Sequence, residues 1–307
     1  MWVYIVYFQM SRVLQMASAS GRGMQLRQYE DVLWVNSDMA DPEAGVKYVE
    51  TYQYKQGDIV ICTYPKSGTH WIINIMWKLK TQDSSKRPLD TTLEGTPLGG
   101  LENQDYPRIL PTHLKPNRLY PSHIENKGKV VLMLQNPKDV AVSLYYHLRD
   151  ASMCKNGQTW DEYFLSFIQG QMHMGSCFEY VRQWDDVLKD ISKGKSKLQV
   201  GVFYYEDFKL RPKDNITRLN AFLGFNRDDA YLETVLKETT LESLRYQYSE
   251  ASKNVINPFC CTDAGNSIIF RKGQVGDWKN HFTVAQSETL DKLLQEALPH
   301  GLIKFRC

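Results

Sequence analysis

The stretch that most constrains the fold of this chain runs from residue 58 to residue 79. It opens with Ile-Val-Ile-Cys at 59–62, a short apolar run rich in β-branched residues, which is typical of a buried strand. Tyr-Pro-Lys-Ser-Gly-Thr-His follows at 64–70, and apolar residues then recur at helical spacing between 71 and 79. The segment is therefore predicted to fold as a strand, a tight turn and a helix.

The predicted turn has the properties of an anion-binding site. Its backbone N–H groups and the positive end of the following helix point at one place. Lys66 adds a full charge, Ser67 and Thr69 add hydroxyl groups, and Gly68 allows the backbone to approach a ligand closely. The common nucleotide P-loop has its lysine after the second of two glycines, whereas Lys66 precedes a single glycine. A phosphate or a sulfate is the expected ligand, and the alternative is an ordinary turn with a solvated lysine.

Strands and helices alternate along the rest of the chain, and no internal repeat is present. This order predicts a three-layer α/β/α fold with a mainly parallel central sheet, whose strands end at the edge where ligands bind. Segment 81–107 is rich in Ser, Asp, Thr, Gly and Pro and is predicted to be a long surface loop, and segment 249–269 contains Gly, Pro, Asn and Ser and is predicted to be a flexible loop. Further strands are predicted at 108–114, 129–134 and 198–204, and helices at 140–148, 160–168, 180–188, 214–223, 229–236, 241–248 and 287–298.

Composition limits the classes of function. Hydrophobic residues make up 42% of the 307 residues and charged residues 23%, as in ordinary globular proteins. The net charge of +2 is too small for a general polyanion binder, so no nucleic acid is predicted as a partner. None of the six cysteines forms a Cys-x-x-Cys pair, so neither a metal site nor a disulfide framework is predicted. A reducing compartment, and hence a cytoplasmic location, is expected.

Residues 1–24 are predicted to be a poorly ordered extension, and residues 25–307 a single domain. The extension contains a short apolar run, but no charged residue precedes it, so a signal peptide is only the minor alternative. No stretch of the sequence approaches the length that crosses a bilayer, so no membrane is predicted as a partner.

Two motifs resemble those of the cytosolic sulfotransferases. Thr-Tyr-Pro-Lys-Ser-Gly-Thr-His-Trp at 63–71 resembles the loop of that family that binds the 5′-phosphosulfate of the sulfate donor, 3′-phosphoadenylyl sulfate (PAPS). Arg-Lys-Gly-Gln-Val-Gly-Asp-Trp-Lys-Asn at 271–280 resembles the family's signature for the 3′-phosphate. The similarity runs from about Leu26 to the C-terminus. It implies transfer of sulfonate from PAPS to a hydroxyl or amine of a small acceptor, such as a phenol, alcohol, steroid or amine, with PAP as product and no metal.

The resemblance also implies roles for individual residues. His113 would be the general base that accepts the acceptor's proton, and Lys66 would stabilise the oxygen that leaves with PAP. Ser67 would hold Lys66 back until the acceptor arrives. For Trp71, Tyr205 and Thr239, which would contact the adenosine part, the alternative is a purely structural role. The residues implied in binding PAPS are Lys66, Ser67, Gly68, Thr69, His70, Trp71, Ser143, Tyr205, Thr239, Arg271, Lys272 and Gly273.

Three positions depart from the family pattern. Pro111 stands where lysine is common, two residues before His113, and Gln135 stands where arginine precedes Asn-x-Lys-Asp. His70 replaces the second threonine of the loop. Each of the first two changes removes a cation, and hydrogen bonds to charged groups contribute about 1.5–3 kcal/mol. They favour an alternative, a homologue that binds PAP or PAPS with little or no catalysis. A nucleotide kinase is disfavoured because the Gly-Lys-Ser/Thr pattern is missing.

Residues 279–288, Lys-Asn-His-Phe-Thr-Val-Ala-Gln-Ser-Glu, resemble the short dimer motif of the same family. The resemblance implies a weak homodimer in which Lys279 pairs with Glu288 across a two-fold axis, with Thr283 and Val284 between them. The alternative is an ordinary helix start, with Thr283 as its N-cap and Val284 in the core.

Overall fold

The computed structural model describes residues 12–15, 25–35, 41–83, 86, 88, 91–95, 100–119, 128–151, 157–252, 260–262 and 264–306. The strands are β1 (Arg12–Gln15), β2 (Gln25–Tyr29), β3 (Val32–Val35), β4 (Ile59–Thr63), β5 (Ile109–Thr112), β6 (Lys129–Leu134) and β7 (Gln199–Tyr204). The α-helices are α1 (Pro42–Thr51), α2 (Thr69–Thr81), α3 (Pro137–Asp150), α4 (Trp160–Ile168), α5 (Cys177–Ser192), α6 (Tyr205–Leu210), α7 (Pro212–Leu223), α8 (Asp229–Glu238), α9 (Leu241–Ser252) and α10 (Val284–Ala297).

The central sheet contains β5, β4, β6 and β7 in that order, and every pairing in it is parallel. Ile59 of β4 lies opposite Ile109 of β5 on one side and Lys129 of β6 on the other. The predicted strands at 108–114, 129–134 and 198–204 are therefore confirmed, as is the parallel arrangement that makes their carboxyl ends meet at one edge.

Helices cover both faces of the central sheet. Because side chains alternate along a strand, Val60 and Cys62 of β4 pack with α3, α4 and α5 on one face. Ile59 and Ile61 pack on the other face with α2, α7 and α8. Two buried apolar layers thus enclose the sheet, and the predicted three-layer α/β/α fold is confirmed.

Local signals explain where the helices begin and end. The Asn136 side chain accepts a hydrogen bond from the backbone of Lys138, and Pro137 follows as the first helical residue, so α3 begins earlier than the predicted residue 140. Thr283 and Gln286 form a capping box at the start of α10. Gly224, with φ +78°, ends α7 as predicted.

A smaller antiparallel sheet contains β1, β2 and β3, with Arg12 opposite Gln28. The prediction of a poorly ordered extension did not anticipate strand β1. The other residues of the predicted extension lie outside the described part of the chain, so the domain boundary stays a prediction. No helix within the described ranges is long and apolar enough to cross a membrane.

The two predicted loops contain more structure than their composition indicates. In the first, Leu93, Glu94 and Leu101 are buried, so the prediction that segment 81–107 is simply a surface loop is wrong for these residues. In the second, Cys261 and Ser267 form an isolated β-bridge. Residues 253–259 and 263 of that segment lie outside the described residues.

Candidate active site

The carboxyl-terminal edge of the central sheet opens into a cavity of about 710 Å³. Among the predicted site residues, only Ser67 does not line it. Ser67 is buried within the β4–α2 turn, where its backbone N–H donates to the carbonyl of Tyr64 at 3.1 Å. The predicted residues that do line the cavity are Lys66, Gly68, Thr69, His70, Trp71, His113, Ser143, Tyr205, Thr239, Arg271, Lys272 and Gly273.

The β4–α2 turn has a backbone that favours glycine. Gly68 has φ +90°, and a Cβ added there would lie 3.0 Å from a ring carbon of Tyr205. Glycine is therefore needed both for the left-handed conformation and for the close approach. Lys66 also has a positive φ, of +68°. Helix α2 starts at the residue after Gly68, so its free N–H groups lie at the cavity, as an anion site requires.

Within the described part of the chain, the Lys66 ammonium has two hydrogen-bond neighbours. Its Nζ lies 3.2 Å from Nδ1 of His147 and 3.5 Å from the carbonyl oxygen of Ile269. The restraint of Lys66 by Ser67 stays a prediction. Burial lowers the pKa of Lys66 to about 8, Cys260 opposes the shift and Arg271 adds to it. Lys66 is thus a cation in a poorly solvated place.

The hydrogen bonds of His113 define its tautomer. Its Nδ1 lies 2.8 Å from the carbonyl oxygen of Thr63 and 3.1 Å from the hydroxyl of the same residue. Because a carbonyl can only accept, we assign the ring proton to Nδ1, which leaves a lone pair on Nε2. Burial lowers the pKa of His113, and the charge of Glu94 opposes that shift. The ring is therefore neutral near physiological pH and able to accept a proton at Nε2.

Glu94 holds the segment that carries His113. It is 1% exposed, and its two carboxylate oxygens accept from the backbone N–H of His113 at 2.7 Å and from the hydroxyl of Thr112 at 2.8 Å. Sequence reasoning missed this residue because it lies in a segment with no periodicity or motif. No local signal identifies it.

The cavity has two basic sites suited to binding anions, which we call cradles. The β4–α2 turn is the first, and the glycine-containing motif at 271–280 is the second. Asp277 accepts from Nη2 of Arg271 at 2.7 Å and from Nζ of Lys272 at 2.9 Å. Burial raises the pKa of Asp277, but the hydrogen bonds from Lys272 and Arg271 outweigh it and hold that pKa below its usual range. Nε of Arg271 is buried and has no hydrogen-bond partner among the described residues. A bound phosphate would supply the missing acceptor.

Aromatic side chains line the cavity between the two cradles. The indole Nε1 of Trp71 donates to the carbonyl of Thr239 at 2.9 Å. The ring of Tyr205 meets Trp71 edge-on, with centroids 5.1 Å apart. The hydroxyl of Thr239 donates to the carbonyl of Val235 within the last turn of α8. Thr239 thus has a structural role in addition to its place in the cavity wall.

One face of helix α3 contacts both cradles. Asp139, Ser143 and His147 are spaced four residues apart, and all three line the cavity. Asp139 accepts from the backbone N–H groups of Gly276 at 2.7 Å and Trp278 at 3.0 Å, in the second cradle. His147 contacts Lys66 in the first. Sequence reasoning selected Ser143 alone, although its helical spacing also pointed to the other two.

Comparisons with known proteins agree with this geometry. The sequence profile of the Sulfotransferase domain family matches residues 56–300. Sulfotransferase 1C2 of Oryctolagus cuniculus is 33% identical over 305 residues, which cover 95% of this chain and 99% of that protein. Sulfotransferase 1C2 of Homo sapiens is 33% identical over 274 residues, which cover 84% of this chain and 88% of that protein.

Solved structures give the same result. Mouse sulfotransferase SULT7A1, complexed with PAP, is similar with a TM-score of 0.75 and 26% identity, over 90% of this chain and 94% of that one. Retinol dehydratase, in complex with androsterone and PAP, is similar in fold with a TM-score of 0.71 and 15% identity, over 92% of each chain. Since the family profile covers most of the chain, this protein belongs to the sulfotransferase domain family.

Proposed function

We propose that this protein transfers the sulfonate group of PAPS to a hydroxyl or amine of a small acceptor. The observation that supports this most directly is the content of a single cavity. A neutral histidine, His113, a partly buried lysine, Lys66, and a second basic cradle at 271–273 all line it. Transfer of a sulfuryl group requires a proton acceptor, a cation near the leaving oxygen and residues that bind the other end of the donor.

The lining residues fit PAPS. The turn at 66–71 would hold the 5′-phosphosulfate, and Arg271, Lys272 and Gly273 would hold the 3′-phosphate together with Ser143. The Nε of Arg271 has no acceptor among the residues that the structure describes, which supports this assignment because a buried guanidinium nitrogen needs one. Trp71, Tyr205 and Thr239 would contact the adenosine part. The solved mouse relative that is 26% identical contains PAP, which agrees with this assignment.

The residues of this chain divide the chemistry among them. PAPS supplies a sulfuryl group on a phosphate leaving group when bound. His113 accepts the proton of the acceptor at Nε2, and Thr63 and Glu94 hold the ring and its backbone in place. Lys66 stabilises the negative charge that develops on the oxygen leaving with PAP. His70, whose ring meets Tyr248 and Phe270 edge-on, forms part of the wall beside this turn.

A weak homodimer is part of the proposal. Thr283 is the N-cap of α10, as an ordinary helix start requires, but Val284 is 75% exposed and not in the core. An apolar side chain exposed at this position supports the dimer motif, with Lys279 and Glu288 on either side of it. A cytoplasmic location is also proposed. It is supported by Cys62 and Cys177, which are buried as free thiols.

The second candidate function is binding of PAP or PAPS with little catalysis. Gln135 favours it, because it lines the cavity where the family has a cation. Pro111 favours it because it stands in β5, two residues before the base, where lysine is common in the family. Both candidates use the same donor site, so only turnover separates them.

The decisive experiment is a turnover assay with ³⁵S-labelled PAPS against phenols, alcohols, steroids and amines. His113→Ala should lower kcat by about 10²-fold and leave PAP affinity unchanged, because only the proton acceptor is lost. Lys66→Ala should lower both kcat and PAP affinity. His300→Ala, at an exposed histidine, is the matched control and should change neither. An active wild type with a fully active His113→Ala contradicts the mechanism. A wild type that binds PAP but sulfonates no acceptor supports the second candidate.

A further inference from the structure

The contact between Lys66 and His147 defines the state of both side chains. His147 lies on α3, is 5% exposed, and places Nδ1 3.2 Å from Nζ of Lys66. An ammonium has only donors, so Nδ1 must hold a lone pair and the ring proton must be on Nε2. Burial lowers the pKa of His147 well below its ordinary value, and the charge of Lys66 lowers it further. The imidazole is therefore a neutral acceptor.

Both neighbours of the Lys66 ammonium are uncharged. The ring of His147 and the carbonyl of Ile269 account for two of its three N–H donors and leave one for a ligand. The second cradle is different, because Arg271 and Lys272 share the carboxylate of Asp277. Among the described residues, Lys66 has no carboxylate counterion, which suits a group that must stabilise a leaving oxygen.

A lysine needs such a partner to be positioned. The left-handed backbone at Lys66 directs the start of the side chain, but four flexible carbons follow before the ammonium. Without an acceptor inside the cavity, the side chain would adopt several rotamers and the ammonium would have no fixed position. His147 is anchored by the buried face of α3, whose other end holds the second cradle through Asp139.

We propose that His147 is a positioning residue that orients the Lys66 ammonium for sulfuryl transfer. The proposal rests on the proposed function, in which Lys66 stabilises the leaving oxygen. His147 acts through Lys66 and need not touch the donor. The other titratable groups around the two side chains are His70, His113, His173, Cys260 and Arg271.

The first test measures Lys66 without any turnover. Trace labelling with acetic anhydride, read by mass spectrometry across a pH series, reports the neutral fraction of the Lys66 amine. His147→Phe removes the acceptor, and His147→Leu repeats the removal with a smaller side chain. Loss of the acceptor disfavours the ammonium. If the pKa of Lys66 falls from about 8 by one unit, labelling at pH 7 becomes about fivefold faster. His147→Asn keeps an acceptor oxygen near the position of Nδ1 and should restore the wild-type rate.

The second test measures kcat with the best acceptor of the panel described above. His147→Phe should lower kcat at least tenfold with little change in the KM of the acceptor, and His147→Asn should recover most of the loss. The control for the labelling series is His173→Phe, which replaces another buried histidine of the same cavity and should leave the rate of Lys66 labelling unchanged.

Three results overturn the proposal. In the first, His147→Phe and His147→Leu both label Lys66 at the wild-type rate. In the second, His147→Asn labels Lys66 as fast as the removal variants do. In the third, Lys66 labelling becomes faster in the removal variants but kcat does not change. If the wild type has no turnover, the proposed function fails, while the labelling series still decides whether His147 holds the ammonium.

Discussion

Replacing Glu94 with glutamine should destabilise the protein through two buried hydrogen bonds. The carboxylate accepts from the backbone of His113 at 2.7 Å and from the hydroxyl of Thr112 at 2.8 Å. Glutamine retains one acceptor oxygen and places an amide NH₂ against the other donor. Two charge-assisted bonds of about 1.5–3 kcal/mol each are then replaced by one neutral bond of about 0.5–1.5 kcal/mol. Relief from burying a charge offsets part of this loss, so the free energy of unfolding should fall by about 2–3 kcal/mol.

The same substitution should change the pH dependence of the base. Burial lowers the pKa of His113 and the negative charge of Glu94 raises it, so removing that charge lowers the pKa further. His113 accepts a proton only when it is neutral. The acid limb of kcat/KM should therefore move to lower pH. In addition, kcat should fall because the segment that carries His113 keeps only one of its two hydrogen bonds to residue 94.

Urea unfolding and a pH profile of kcat/KM measure the two effects. Glu242→Gln, at an exposed position on α9, is the matched control and should change the unfolding free energy by less than about 0.5 kcal/mol. The reasoning is refuted by a Glu94→Gln protein as stable as the wild type. It is also refuted by an acid limb that moves to higher pH.

Three further predictions test the donor site, the assembly and the buried histidines. Arg271→Ala should weaken PAP binding at least tenfold, about 1.4 kcal/mol, in calorimetric titration, with the exposed Arg182→Ala as control; equal affinities exclude this residue from the phosphate site. Val284→Glu should convert a concentration-dependent dimer into a monomer in light scattering, whereas Thr289→Glu should not; a wild type that is monomeric throughout removes the dimer. His173 has a pKa lowered to about 3 by burial, so it stabilises the fold above pH 6.5 and loses that contribution as pH falls. His173→Phe should therefore reduce the loss of unfolding free energy between pH 7 and pH 5 by about 2 kcal/mol, measured by urea unfolding at both pH values.

Sequence reasoning predicted the parts of the site that are local in the chain. The turn after β4 was predicted because an apolar strand, a turn with lysine and glycine, and a helical pattern follow one another within one segment. The cradle at 271–273 was implied by the resemblance of the motif at 271–280 to the family signature for the 3′-phosphate. The parallel sheet then brings both to one edge, which is why most of the predicted site residues line one cavity.

The contacts that hold these residues are long-range, and the sequence carried no signal for most of them. Glu94 reaches His113 from 19 residues away, and His147 reaches Lys66 from 81 residues away. Neither sequence separation corresponds to a turn or a helical repeat. The alternative for residues 279–288 placed Val284 in the core, and it does not hold in this respect because Val284 is 75% exposed.

Gln135 is the departure whose effect the structure makes measurable. It lies at the carboxyl end of β6, is buried and lines the cavity, so its amide can donate a neutral hydrogen bond to the donor. Pro111 is less open to change. It lies buried in β5, at an edge of the described sheet, where a missing N–H is tolerated. Gln135→Arg should therefore tighten PAP binding by about five- to tenfold, the difference between a charged and a neutral hydrogen bond, and leave kcat unchanged. Gln135→Leu should weaken PAP binding. Equal PAP affinities in the wild type and both variants, measured by calorimetry, would show that position 135 does not contact the nucleotide and that the lost cation has no effect on donor binding.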